Sequence, residues 1–385
     1  MKQQLLFKSL LLLAALLMIG TKMQAQEAYA VLSEDGLTVT FYYDTQKDIR
    51  GGIIINENSI STNSSSPYGT ANTAVINASF ADYYPTSTAH WFEDCKNLKS
   101  IEGILYIKTD NATDMNNMFK NCSRLTSLDL SSFKTENVID MHWMFYQCTN
   151  LISLDVSGFK TDNVTNMAHM FSSCWNLTSL DVSGFKTDNV TSMFGMFYGC
   201  ERLKEIDVSG FKTDNVTVMG GMFRGCGGLT SINVSGFNTE NVTNMNSMFH
   251  GCTSLTSLDV SSFKTNNVEF ISSMFKSCTN LISIFANEGW NTEKVKIGDE
   301  IFKYCDNLVG GQGTAYDASH TDYTYARIDG GPEAPGYFTY KASTDINAIM
   351  YDNTKETPIY NLSGQRITSP QKGINIINGK KVMMK

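Results

Sequence analysis

The chain has 385 residues, of which 42% are hydrophobic and only six are proline, a composition that supports a packed core and excludes wholesale disorder. The formal net charge is −8, and it becomes −11 once an amino-terminal leader carrying Lys2, Lys8 and Lys22 is set aside. Such an acidic surface excludes nucleic acid and anionic membrane as main partners and leaves basic protein surfaces and neutral glycans.

Residues 1–25 have the layout of a secretory signal peptide, with Lys2 and Lys8 ahead of an apolar run at residues 10–19 and a polar end at Ala25. The run is too short to span a bilayer, so no transmembrane segment is expected after cleavage. Residues 26–91 read as an amino-terminal cap. Strands are expected at residues 29–32 and 37–43 about a turn at Glu34, Asp35 and Gly36, with a decayed copy of a later strand at residues 75–80. A cap of this kind closes a sheet edge that would otherwise invite aggregation.

The segment 92–309 is repetitive. Cys122, Cys148, Cys174, Cys200, Cys226, Cys252 and Cys278 fall every 26 residues, and Cys95 and Cys305 extend the series at 27. Self-similarity at that period predicts stacked repeats, because one unit cannot cover its own apolar face and a neighbour can. Within one unit Leu154, Asp155 and Val156 alternate as a half-buried strand does, whereas Met167, Met170, Phe171, Cys174 and Leu177 share one face of a helix. The expected fold is an α/β solenoid of the leucine-rich-repeat type, with one strand and one short helix per 26-residue repeat and β-rich caps. Asp162, Asn163 and Thr165 stand where each helix would begin, and Asn176 and Gly228 where it would end. Residues 310–343, opened by Gly310, Gly311 and Gly313, read as a second cap. Residues 344–385 read as a polar linker and a small strand meander with turns at Ser363, Gly364 and at Asn378, Gly379.

Nine cysteines in an exported chain suggest disulfides, yet neighbours in one column carry parallel Cβ vectors that cannot give the dihedral of about 90° a bridge needs. Buried free thiols packed as small apolar groups are expected instead. His90, His142, His169, His250 and His320 are scattered, and no Cys-x-x-Cys or Ser-His-Asp set stands out, so neither an enzyme nor an organic cofactor is expected. Asn163, Asn189, Asn215 and Asn241 lie in glycosylation sequons, but Asn137 and Asn267 share their column without one. A ladder of amides bonded from turn to turn explains all six.

Two further columns bear on function. Asp129, Asp155, Asp181, Asp207 and Asp259 form a line interrupted at Asn233, and like charges at strand spacing repel. Either the carboxyl pKa values are raised, or the column pairs with cations, calcium being the ion it would take, or it faces a basic ligand, or water simply screens it. Lys134, Lys160, Lys186, Lys212 and Lys264 run nearby and offset part of the field. The second clue is variation. Trp143, Tyr146, His169, Trp175, Phe194 and Tyr198 occupy three successive turns around the expected helix, where later turns hold mainly Gly, Ser, Asn, Arg, His and Lys. These rings are the partner-binding candidates, unless they fill gaps between helices. Ser247 and Ser254, in turns without rings, read as lying off the site.

The repeated Leu-x-x-Leu-x-Val-x-x-Phe and Met-Phe-x-x-Cys stretches resemble the BspA-like leucine-rich-repeat surface proteins of bacteria, which include many adhesin-like proteins of Bacteroidetes. The likeness runs over residues 28–338, and residues 313–338 look like the closing cap of that family. Residues 359–385 are similar to the end of the sorting tails that direct Bacteroidetes proteins through the outer membrane. The resemblance implies an exported protein, at the cell surface or extracellular, that binds a host or bacterial surface protein. A glycan-binding protein on the same scaffold, or a structural spacer, is the alternative. No ligand residue can be carried over from the family.

Overall fold

The computed structural model describes residues 25–55 and 68–342, together with the backbone of four strands between residues 359 and 384. The leader at residues 1–24 and the polar linker at 344–357 lie outside the described residues. The chain divides into two compact units, Met1–Tyr340 and Lys341–Lys385.

The first unit begins with the expected hairpin, β1 (Glu27–Leu32) antiparallel to β2 (Thr38–Asp44). Its turn is held by Asp35, whose Oδ1 accepts from Leu37 N at 3.0 Å and from Ser33 Oγ at 2.6 Å. A single helical turn, Lys47–Arg50, leads to β3 (Ile53–Ile54) on the outer side of β1. On the other side β4 (Thr73–Ile76) and β5 (Ser100–Glu102) are added in parallel, so the sheet order is β3-β1-β2-β4-β5. The pairing thus changes from antiparallel to parallel between β2 and β4, inside the segment expected to be the cap. The strand copy expected at residues 75–80 is met only at its start: β4 ends at Ile76, Ala78–Asp82 forms a 3-10 turn, and the buried Phe80 packs edge-on against Phe41.

Along the repeats the expected strand is short. β6 (Ser153–Leu154) pairs with β7 (Ser179–Leu180), and β8 (Ser257–Asp259) with β9 (Ser283–Ala286), always in parallel and always between residues 26 apart. A second line of single parallel bridges runs from Ser87 through Asp114, Asp140, Asn166, Ser192, Val218, Asn244 and Phe270 to Ile297.

The helix expected in each repeat is not there. In its place alternate amides do different things. Met167, His169, Phe171 and Ser173 donate to the next copy, at Ser192, Phe194, Met196 and Tyr198, whereas Met170, Ser172 and Cys174 close tight turns onto Met167, His169 and Phe171. The path requires left-handed backbone five residues and one residue before each cysteine, as at His169 (φ 56°) and Ser173 (φ 60°). Gly195, Gly199, Gly221 and Gly225 hold the same two places in later copies, where a missing Cβ removes the penalty. An α-helix would spend these N–H groups within its own segment. The expected caps therefore tie copies together instead. Asn163 Nδ2 donates to Glu136 O at 2.7 Å, Thr165 Oγ1 to Ile139 O at 3.3 Å and Asn176 Nδ2 to Thr149 O at 2.9 Å. Asp162 lends its carbonyl to Asn189, and at Gly228 a Cβ would meet the Glu201 and Leu203 carbonyls at 2.8 Å. The described chain is thus strand, bridge and turn, with almost no helix.

The apolar columns are buried as their spacing implied. Phe92, Phe119, Phe145, Phe171, Phe197, Phe223, Phe249, Phe275 and Phe302 stack face to face with centroids 5.4–5.9 Å apart. All nine cysteines are free and buried. From Cys122 onward each Sγ lies 3.0–3.3 Å from the carbonyl of a phenylalanine in the preceding copy. Burial pushes the thiols of Cys148 and Cys200 up to about 12. A column that the spacing did not single out is equally structural. Thr135, Thr161, Thr187, Thr239 and Thr265 are buried, and each Oγ1 donates to one backbone carbonyl of the next copy and accepts from the N–H of the same residue.

β10 (Phe338–Tyr340) lies parallel on β9 and closes the first unit. Asp329 organises that closing segment by accepting from the N–H groups of Gln312, Thr314 and Gly331 and from Thr314 Oγ1. Burial alone would raise its pKa, but these donors outweigh it and bring the carboxyl down to about 2. The second unit holds β11 (Ile359–Asn361), β12 (Arg366–Ile367), β13 (Gly373–Ile377) and β14 (Lys380–Met384) in the order β12-β11-β13-β14. It is not a simple meander, because β13 returns to the far side of β11.

Candidate functional site

The alternating turns decide which side chains face out. Residues on the inward side of the Met-Phe-Cys path are buried, and the positions between them carry the rings singled out from the sequence. Four of the six meet. Trp143 lies 5.7 Å from Tyr146 and 6.0 Å from His169, and His169 meets Phe194 edge-to-face at 5.0 Å. Trp143 is half-buried, and Lys120 Nζ sits 4.4 Å over its ring. Both Trp143 and His169 occupy the left-handed positions, at φ 57° and 56°, which are rare for bulky side chains. Tyr198 is covered by the Arg224 guanidinium at 5.3 Å. Trp175 stands apart, 48% exposed, with its indole nitrogen 3.6 Å from where a Cβ of Gly199 would be. Phe194 is 38% exposed.

Against this strip lies a groove of about 420 Å³, lined by Tyr146, His169, Ser172, Phe194, Tyr198 and Arg224 together with Asn244, Asn246 and Ser247. Gly195 also lines it, and a Cβ there would fall 2.6 Å from the His169 ring. Two polar atoms here have no hydrogen-bond partner, Ser172 Oγ and His169 Nδ1. Burial, with a smaller push from His142, holds the His169 imidazole below its ordinary 6.5, so the ring is neutral at pH 7.

Ser172, Arg224, Asn244 and Asn246 were not among the sequence candidates, and Ser247 is not off the site but on its wall. A signal did exist. Tyr146, Ser172, Tyr198 and Arg224 all stand two residues before a cysteine, so they follow one another down a single column.

The aspartate column behaves differently from the raised pKa considered for it. The Asp155 carboxylate accepts from Ser157 N at 2.9 Å and Ser157 Oγ at 2.7 Å, and Asp181 and Asp207 do the same with Ser183 and Ser209. Asp129 and Asp259 accept the N–H two residues on. Those hydrogen bonds, led by the serine hydroxyl, lower the pKa of Asp155, Asp181 and Asp207. Asn233 makes the identical pair of bonds to Ser235, at 3.1 and 2.7 Å, so the position needs an acceptor oxygen and not a charge. Among the described residues no group of three or more His, Cys, Asp or Glu is placed to hold a metal ion. A shallow groove of about 660 Å³ follows this face past Ser153, Asp155, Ser179, Asp181 and Asp207. The asparagine column bonds from copy to copy, but each Nδ2, from Asn137 to Asn267, donates to a backbone carbonyl at 2.6–2.8 Å and not to another amide.

A family model described as "Mycoplasma protein of unknown function, DUF285" matches residues 86–209 and 195–312. The two matches together cover more than half of the chain, which belongs to this family. Among solved structures, the chain is similar to a leucine rich cell surface protein from Faecalibacterium prausnitzii, at 17% identity over 73% of this chain and 91% of the other. The TM-score of that match is 0.28, too slight a likeness to define fold or function. No curated protein matches the chain. Among the described residues no helix is long and apolar enough to cross a membrane.

Proposed function

We propose that this chain is an exported leucine-rich-repeat solenoid, without catalytic activity, that binds a protein partner at the bacterial surface through the ring strip. The observation that carries the reading is that Trp175 and Phe194 stand exposed, Phe194 against the His169 ring of the Trp143, Tyr146 and His169 cluster. Solvent-facing rings on a rigid frame are the usual anchors of protein interfaces. The leader-like residues 1–25 and the sorting-like residues 359–385 support an exported location. A glycan on the partner cell is the second reading, favoured by the groove beside the strip.

Beads coated with the purified chain, applied to host cells pretreated with protease or with glycosidases, separate the two. Protease alone should abolish adherence if the partner is a protein. Trp175→Ala should weaken adherence by roughly 30-fold, the scale of a lost aromatic anchor, with melting unchanged. Unaltered adherence would remove the strip from consideration, and the Ser-Asp face would take its place. In the native host, a chain ending before Ile359 should stay inside the outer membrane; normal surface display of it would refute the sorting role.

A further inference from the structure

The groove beside the rings differs in charge from the rest of the molecule. The chain carries 38 Asp and Glu against 30 Lys and Arg, yet no acidic residue lines this groove. Arg224 belongs to none of the ion pairs formed by the described residues. Its guanidinium is steadied over the Tyr198 ring, which leaves the N–H fork free of a carboxylate. Besides Arg224 the groove is lined by uncharged polar side chains, Asn244, Asn246 and Ser247, and by the Phe194 ring, which is 38% exposed. The volume of about 420 Å³ lies toward the small end of ligand pockets, which suits one or two sugar residues and not a protein loop.

We propose that the groove binds a sugar ring bearing a carboxylate, as found in an acidic polysaccharide or glycan. The carboxylate meets the Arg224 fork, the apolar face of the pyranose lies on Phe194, and ring hydroxyls face the polar side chains of Asn244, Asn246 and Ser247. An arginine alone would equally accept an acidic peptide. The exposed Phe194 ring and the uncharged polar side chains that share the groove with it favour a polyhydroxylated ligand. The inference rests on the reading of this face as a binding surface, and it deepens the glycan alternative.

The test is calorimetric titration of the full chain with D-glucuronate, its neutral amide, and N-acetyl-L-glutamate. Glucuronate should bind at least about tenfold more tightly than the other two, the scale of one charge-assisted pair. Arg224→Gln should erase the preference for glucuronate over the amide. Trp175→Ala, outside the groove, should bind glucuronate normally, so failure of the protein-partner reading and failure of this one are told apart. Absence of glucuronate binding, equal binding by Arg224→Gln, or N-acetyl-L-glutamate binding as well as glucuronate would each overturn the proposal.

Discussion

Replacing Thr187 with valine would test the hydrogen-bond logic that holds one copy to the next. Thr187 is buried, its Oγ1 donates to Lys212 O at 2.9 Å and accepts from Lys212 N at 2.7 Å. Valine keeps the shape and removes both bonds, so the Lys212 N–H and C=O lose their partner together. At about 1 kcal/mol for each bond, Thr187→Val should lower stability by about 2 kcal/mol, a factor of roughly 30 in the folded-to-unfolded ratio. Urea unfolding followed by circular dichroism would read this as a lower midpoint at unchanged slope. Two controls sharpen it. Thr187→Ser keeps the hydroxyl and should recover most of the loss. The exposed Thr217, whose Oγ1 is a long 3.4 Å from Thr191 O, should change little as valine, within about 0.5 kcal/mol. If Thr187→Val unfolds no earlier than Thr217→Val, the threonine column contributes nothing and the argument from paired backbone groups fails.

The thiols predict an alkaline limit. Burial raises Cys148, Cys200 and Cys305 from the ordinary 9.0 to about 12, so the fold favours the protonated form. That contribution is whole below 9.0 and is lost as pH rises toward 12, because the unfolded chain ionises first. Melting should therefore fall steeply above pH 9, and a thiol reagent at neutral pH should modify very few of the nine cysteines until the chain is denatured; four disulfides by intact mass would refute this. For the aspartate column, Asp155→Asn combined with Asp181→Asn should lower melting at pH 7 only slightly, since Asn233 already serves the same turn, and calcium should not stabilise the wild type. The lowered pKa values add stability that is present above 3.8 and lost as pH falls through the folded value, so the double variant should be less sensitive to acid in thermal melts. A clear calcium-dependent rise in melting temperature would bring back the cation reading.

How much of this was legible beforehand follows from which interactions are local. The identity of the buried columns was, because every copy repeats the same burial and any residue that must be inside shows as a line of Leu, Met, Phe or Cys. The hairpin at Asp35 was readable too, since a turn of that size is settled by neighbours in sequence. The helix was misread because Met167, Met170, Phe171 and Cys174 obey its spacing equally well when the backbone runs as linked turns. A contrary sign lay in the glycines at 195, 199, 221 and 225, which recur at two fixed places and disfavour a helix interior. Trp143 and His169 concealed it by holding the same left-handed backbone with bulky rings.

The sequence by itself determined the period, the inward face and the six rings that vary from copy to copy. The tertiary structure alone decided where each N–H would go. An amide can bond to its own segment or to the next copy 25 residues on, as His169 does to Phe194, and only the stack in place settles the competition. It alone also brought Tyr146 and Ser247, a hundred residues apart in the chain, to line one groove together with Arg224. That juxtaposition depends on how the copies lie on one another, which no local pattern encodes.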